Sequence, residues 1–150
     1  MTAPYRVPLS ISFKHCDPAG IVFYPRYVEM LNDVVEQWFK SALRCDFATL
    51  HGPRAIAVPV VNLQVDFKAP AHLGESLQAE LVVDRLGKSS LGLCIAFRGP
   101  LEPDASSARL HARLTLVFVQ MQGKRPVDIP EDLRRAALPF VVTPAAVNPA

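Results

Sequence analysis

The chain is poor in the residues that staple or metallate small domains. Its 150 residues include only three cysteines, Cys16, Cys45 and Cys94, an odd number at wide spacing. That does not make a disulfide framework. The four histidines and three cysteines form no CxxC or HxxxH pair, so a structural zinc site is not expected. An excess of one charge is also lacking. Sixteen Lys and Arg stand against fourteen Asp and Glu, for a net charge of +2. The basic residues are scattered from Arg6 to Arg135 without a stripe, so no nucleic-acid partner is expected. No stretch approaches the ~18 apolar residues of a membrane helix. The opening Met-Thr-Ala-Pro-Tyr-Arg-Val-Pro has no apolar signal core. A cytoplasmic, reducing setting away from membranes is expected.

What is present suits one folded domain. Half of the residues are hydrophobic and a fifth are charged, too apolar and too weakly charged for disorder. The length fits a single core. The expected domain spans 1–150, with its core at about 7–121 and a C-terminal tail at about 122–150. Pro139, Pro144 and Pro149 punctuate that tail, and its last residues are expected to fray.

Periodicity divides the core. Val7, Leu9, Ile11 and Phe13 alternate with polar residues and Pro8, which predicts a strand. After an irregular stretch, Tyr24, Tyr27, Val28, Leu31, Val34, Val35, Trp38 and Ala42 recur at steps of three and four. That predicts an amphipathic helix over about 25–44. Pro25 suits its first turn, because the missing N–H has no intrahelical partner there. Asp46 is a plausible N-cap for a short second helix ending at Gly52. The period of two then returns over 61–68, 77–83, 91–97 and 110–118, with Gly74, Gly87-Lys88 and Gly99-Pro100 as turn signals. Short links favour antiparallel pairing. Five or six strands make a sheet ~25 Å wide, and a ~30 Å helix is the right size to lie across it. The fold class is therefore α+β with one central helix.

One segment is more specific than these patterns. Cys16-Asp17-Pro18-Ala19-Gly20-Ile21-Val22-Phe23-Tyr24-Pro25-Arg26-Tyr27 resembles the signature of the 4-hydroxybenzoyl-CoA thioesterase family of hotdog-fold proteins. The pattern is an Asp, a small-residue turn with Gly, a few apolar residues, and a Tyr opening the central helix. Residues 65–77 and 85–90 resemble the same family, and the likeness runs from about 7 to 121. It implies a hotdog fold and hydrolysis of an acyl-CoA thioester, with no cofactor and no metal.

The chemistry agrees with that implication. A thioester carbonyl needs a nucleophile or base and a stabilised oxyanion. Asp17 precedes a helix whose first turn offers free N–H groups and partial positive charge. Pro25 cannot donate, so the Tyr24 N–H is the expected donor. The carboxylate serves either as general base or as a nucleophile forming an anhydride. Gly20 is carried over with the motif as a substrate contact. On spacing alone Asp17 also reads as a simple turn starter. His15 either orients Asp17 or is a loop residue without a role. Cys16 reads as an inert thiol. The Tyr24 and Tyr27 side chains read as core or pocket wall, and Trp38 and Phe39 as core.

Asn32 departs from the 4-hydroxybenzoyl branch, which has a carboxylate there against the substrate phenol. It faces either a pocket or water. Lys88, Ser89 and Ser90 form either a polar hairpin or a contact with CoA phosphates and pantetheine. Arg125 is a second phosphate candidate. Two other readings remain: a hotdog hydratase or dehydratase, for which His51 and His72 are available, and a non-catalytic acyl-CoA binder. A lone sheet on one helix leaves two open edges, and 110–121 is apolar on both faces. A homo-oligomer is therefore expected. The resemblance adds sheets paired edge to edge as a dimer or a dimer of dimers (a homotetramer).

Overall fold

The computed structural model describes residues 3–99 and 108–142. Strand β1 (Tyr5–Ser10) leads through an irregular loop to the long helix α1 (Tyr24–Ser41). Then follow α2 (Phe47–His51), β2 (Ile56–Ala57), β3 (Val60–Phe67), β4 (Ser76–Leu86), β5 (Ser90–Arg98), β6 (Leu110–Val117), β7 (Val119–Gln120) and α3 (Glu131–Ala137). Five strands make one antiparallel sheet in the order β1-β4-β5-β6-β3, and β2 pairs with β7 beside it. This is the α+β hotdog arrangement.

The core is the meeting of two periodicities. Helix α1 buries Tyr27, Met30, Leu31, Val34, Val35, Trp38 and Phe39 along one stripe. The sheet presents alternate residues to it, among them Leu77, Leu81, Leu91, Ile95, Phe97 and Leu114. Edge strand β3 is different, with Val60, Val61, Leu63 and Phe67 all exposed.

Several expected boundaries move. The first strand stops at Ser10, and Phe13 is 81% exposed. Ser12 and His15 cap a 3-10 turn over Phe13–His15, and those reciprocal hydrogen bonds end the alternation. Helix α1 ends at Ser41 because Arg44 has φ +58, outside the helical region. Asp46 does cap α2, accepting the Thr49 N–H at 2.8 Å. Strand β6 ends at Val117; Phe118 enters the core and Val119 is buried in β7, which pairs with β2. The second apolar face expected over 110–121 is thus partly covered by this chain itself.

The core also continues past 121, unlike the expected tail. Ile129, Leu133 and Ala137 recur at steps of four and are buried, two of them on α3. Pro100, Pro144 and Pro149, from the expected Gly99-Pro100 turn and the tail, lie outside the described residues.

On the face of the sheet away from α1, Asp84 is folded against β5. Its side chain is 1% exposed and meets Arg113 Nε at 2.8 Å. Gly92 makes the space: a Cβ there would lie 2.2 Å from Asp84 Oδ1. Among the described residues no helix is long and apolar enough to cross a membrane.

Candidate active site

Residues 15–23 fold back on themselves. The Phe23 N–H donates to His15 O (2.9 Å), Cys16 bridges Val22, and the Asp17 N–H donates to Ile21 O (3.0 Å). The turn is closed by the Gly20 N–H donating to Asp17 O at 3.0 Å. Gly20 sits at φ +79 with open space around a notional Cβ. Its requirement is therefore conformational rather than steric. Asp17 is half-buried, and its Oδ1 accepts the Ala19 N–H at 2.9 Å. This local bond fixes the carboxylate within the turn.

The fold-back delivers the chain directly into α1. Phe23 is the N-cap and Tyr24 the first helical residue. The Arg26 N–H donates to Phe23 O at 2.8 Å, and Pro25 has no N–H. Among the described residues the Tyr24 N–H has no acceptor. Asp17, Gly20 and Tyr24 are thus gathered in one compact segment: a carboxylate, a left-handed glycine and an open donor at a helix N-terminus.

The neighbouring side chains narrow the chemistry. His15 Nδ1 accepts the Ser12 N–H at 2.9 Å, so it is engaged with Ser12 rather than Asp17. Burial, with Lys14 and Arg26 nearby, lowers its pKa. Cys16 Sγ donates to Ser12 O at 3.6 Å. Burial next to Asp84 pushes Cys94 up to about 12, which keeps it a thiol and a poor nucleophile. Among the described residues no three His, Cys, Asp or Glu side chains are grouped to hold a metal.

Asn32 lies farther along α1, at a cavity of about 190 Å³. Val28, Leu31, Phe47, Leu63 and Leu116 help line it, and among the described residues Asn32 is its one polar side chain. Tyr24, Tyr27 and Phe67 form an aromatic cluster nearer the helix start.

Lys88, Ser89, Ser90 and Arg125 are elsewhere. The Lys88 side chain is 84% exposed, with Nζ 4.0 Å from Asp128. The carbonyls of its turn are engaged: Gly87 O by Arg134 (2.6 Å), Lys88 O by the Ile129 N–H (2.9 Å), Ser89 O by the Phe118 N–H (2.8 Å). Exposed Arg125 lies in the turn after β7, its carbonyl accepting the Gln120 N–H. The β4–β5 turn and the Asp17 loop are at opposite ends of β4. That strand has 11 residues, or ~35 Å at ~3.3 Å each.

A cluster beside the loop has no signature in the sequence. Glu75 takes both Arg109 Nη atoms (3.1 and 2.9 Å), the His72 N–H (2.7 Å) and His72 Nδ1 (3.1 Å). Arg109 holds the Glu75 carboxyl down to about 2. The Ala71 N–H donates to Tyr27 Oη at 3.2 Å. Glu75 and Arg109 are 34 positions apart, a distance no local spacing signals.

Comparison with known proteins shows the family of the chain as a whole. A family model described as the thioesterase-like superfamily matches residues 11–137. The chain is 23% identical over 133 residues to a 1,4-dihydroxy-2-naphthoyl-CoA hydrolase of Synechococcus elongatus, covering 88% of this chain and 93% of that one. A crystal structure of a Pseudomonas aeruginosa protein superposes with TM-score 0.81 at 26% identity, over 93% and 92% of the two chains. The structure of a 1,4-dihydroxy-2-naphthoyl-CoA thioesterase from Synechocystis gives TM-score 0.81 at 18% identity, over 91% and 96%. That last likeness speaks for the fold. With 11–137 matched, the chain belongs to the thioesterase-like superfamily.

Proposed function

We propose that the protein hydrolyses an acyl-CoA thioester to CoA and a free acid, with Asp17 as the reacting carboxylate. The observation that carries this is the 15–23 fold-back, which joins a fixed Asp17 to the open Tyr24 N–H at the start of α1. Attack on the thioester carbon moves negative charge to its oxygen. A donor at a helix N-terminus stabilises that charge. Asp17 either takes a proton from the attacking water or attacks first, forming an anhydride that water opens. Both routes end in the same products. The Asp17 motif favours the 4-hydroxybenzoyl-CoA thioesterase branch of the superfamily.

The acyl group belongs in the cavity beside Asn32. An apolar body suits its walls, and one polar substituent suits the Asn32 amide. An amide in place of a carboxylate argues against 4-hydroxybenzoyl-CoA itself. The names of the relatives favour a hydroxylated aromatic acyl group.

One CoA cannot reach both ends of β4 within a single chain, so the reading includes a second copy. Exposed Val61, Leu63 and Phe67 on edge strand β3 support that. A homo-oligomer, a dimer or dimer of dimers, brings the Lys88 turn of one subunit to the Asp17 loop of its partner. There Lys88, Ser89, Ser90 and Arg125 contact the phosphates and pantetheine, in the cytoplasm where CoA esters are used.

The hydratase reading has one observation in its favour, the His72–Glu75 pair. Arg109 already claims both oxygens of that carboxylate, which leaves it poorly suited to driving proton transfer. The test is thiol release over a panel of short, branched and aromatic acyl-CoAs, with wild type and Asp17→Asn. Turnover should fall by ~10²-fold or more on the best substrate. Full activity in the variant refutes the assignment, and water addition to an enoyl-CoA without thiol release supports the hydratase instead. Tight CoA binding without turnover on any ester points to the non-catalytic binder.

A further inference from the structure

The Asp17 loop rests on residues 70–75, the connection into β4. The Val22 N–H donates to Ala71 O (3.0 Å), the Leu73 N–H donates to Gly20 O (2.9 Å), and Ile21 bridges His72. The same connection reaches the other side of the loop. The Gly74 N–H donates to Ile11 O and the Ile11 N–H to Glu75 O, both at 2.9 Å. What positions residues 70–75 therefore positions Asp17 and Gly20.

That element is the Glu75–Arg109 pair. Glu75 folds back over the connection and accepts the His72 N–H and the His72 ring. Arg109, just before β6, grips both Glu75 oxygens and donates to Pro70 O at 3.1 Å. Its side chain is largely covered. A planar guanidinium held by two oxygens and a carbonyl fixes direction as well as distance. One arginine thus ties both ends of the connection to the start of a central strand. Tyr27 Oη braces the same connection from α1 by accepting the Ala71 N–H.

We propose that Glu75 and Arg109 are positioning residues for the reaction: their pair sets the aim of the Asp17 carboxylate relative to the Tyr24 N–H without touching substrate. This rests on the Asp17 reading above. A misplacement of the reacting group by ~1 Å is costly, up to ~10²-fold in rate, while binding energy gathered elsewhere on CoA is unaffected. The signature is a loss in kcat with KM nearly unchanged.

The experiment compares wild type, Glu75→Gln, Arg109→Lys and the reversed pair Glu75→Arg with Arg109→Glu, each also in an Asp17→Asn background. Glu75→Gln and Arg109→Lys should lower kcat by ~10-fold or more with KM within ~2-fold. The reversed pair should recover part of the loss, and in the two single variants amide exchange should quicken at Val22 and Leu73 but not at Ile95. In the Asp17→Asn background the same changes should alter the residual rate by less than ~2-fold, because coupled residues are not additive. Wild-type kcat in both single variants, with Asp17→Asn inactive, overturns the clamp and leaves the Asp17 reading standing. Equal losses with and without Asp17, or faster exchange throughout the core, also overturn it, by reducing the pair to a stability role. Full activity of Asp17→Asn fails the Asp17 reading itself and removes the clamp's purpose with it.

Discussion

A carboxylate gripped by an arginine and two donors from one histidine is a charge the fold has committed to. Glu75 titrates at about 2 instead of 4.5, chiefly through its hydrogen bonds to Arg109. A folded value below the unfolded one stabilises the protein at pH above the unfolded value, and that contribution disappears as pH falls through the folded value. The stability gap between wild type and Glu75→Gln should therefore be full above about pH 4.5 and close toward pH 2. Denaturant titrations at several pH values measure it, and a gap independent of pH denies the charge any role. At this scale the sequence was uneven to read. Asp17, Gly20 and Tyr24 lie within eight consecutive residues, so one motif displayed them together. Glu75 and Arg109 meet only after the chain has crossed β4 and β5, and each lies just before the apolar run it adjoins. Asn32 was ambiguous because an amide on a helix suits water and cavity alike; only the packing of β3 and α2 around it made the cavity.

Among the elements, α1 was the plainest, since its apolar stripe persists for 18 residues. Ends were harder, because they depend on caps and single dihedrals such as those at Ser12 and Arg44. Helix α3 was missed although Ile129, Leu133 and Ala137 keep a helical step; a seven-residue helix presents too few repeats to stand out. It is nonetheless structural. Leu133 is 1% exposed, so Leu133→Ala should cost ~2–5 kcal/mol in unfolding experiments. A loss under ~1 kcal/mol would show that α3 only rests on the core. The same helix grips the β4–β5 turn through Arg134. With its carbonyls held, that turn offers Lys88 from a fixed platform. Lys88→Ala should raise KM for acyl-CoA more than it lowers kcat, and the effect should shrink with added salt. An unchanged KM at low ionic strength returns Lys88 to a plain hairpin residue.

On the proposed reading the molecule has two ends that must act on one substrate, separated by the 11 residues of β4, and one chain cannot join them. Mixing Asp17→Asn subunits with Lys88→Glu subunits therefore tests the assembly. In a mixed dimer one site inherits both changes and the other inherits neither. Half of randomly reassembled dimers are mixed, so about a quarter of sites should be restored. No recovery, or an active species with the single-chain mass of 16.5 kDa by light scattering, refutes the shared site. The open sheet edges were foreseeable from strand count, because five strands on one helix cannot close. Which edge is the apolar one was not. The alternation in β3 looks like that of a half-buried strand, and only its position beside β6 at the end of the sheet exposes Val61, Leu63 and Phe67.

The Asp84–Gly92 contact carries a message about descent. With the carboxylate lying where the next side chain would begin, any side chain at position 92 forces Asp84 to move. The two sites are thus one heritable unit. Among related sequences aspartate at 84 should occur with glycine at 92, and lineages that lost the acid should be the ones free to place alanine or serine there. A laboratory lineage should follow the same path: Gly92→Ala alone is harmful, Asp84→Ser relieves it, and the reverse order of substitution is the passable one.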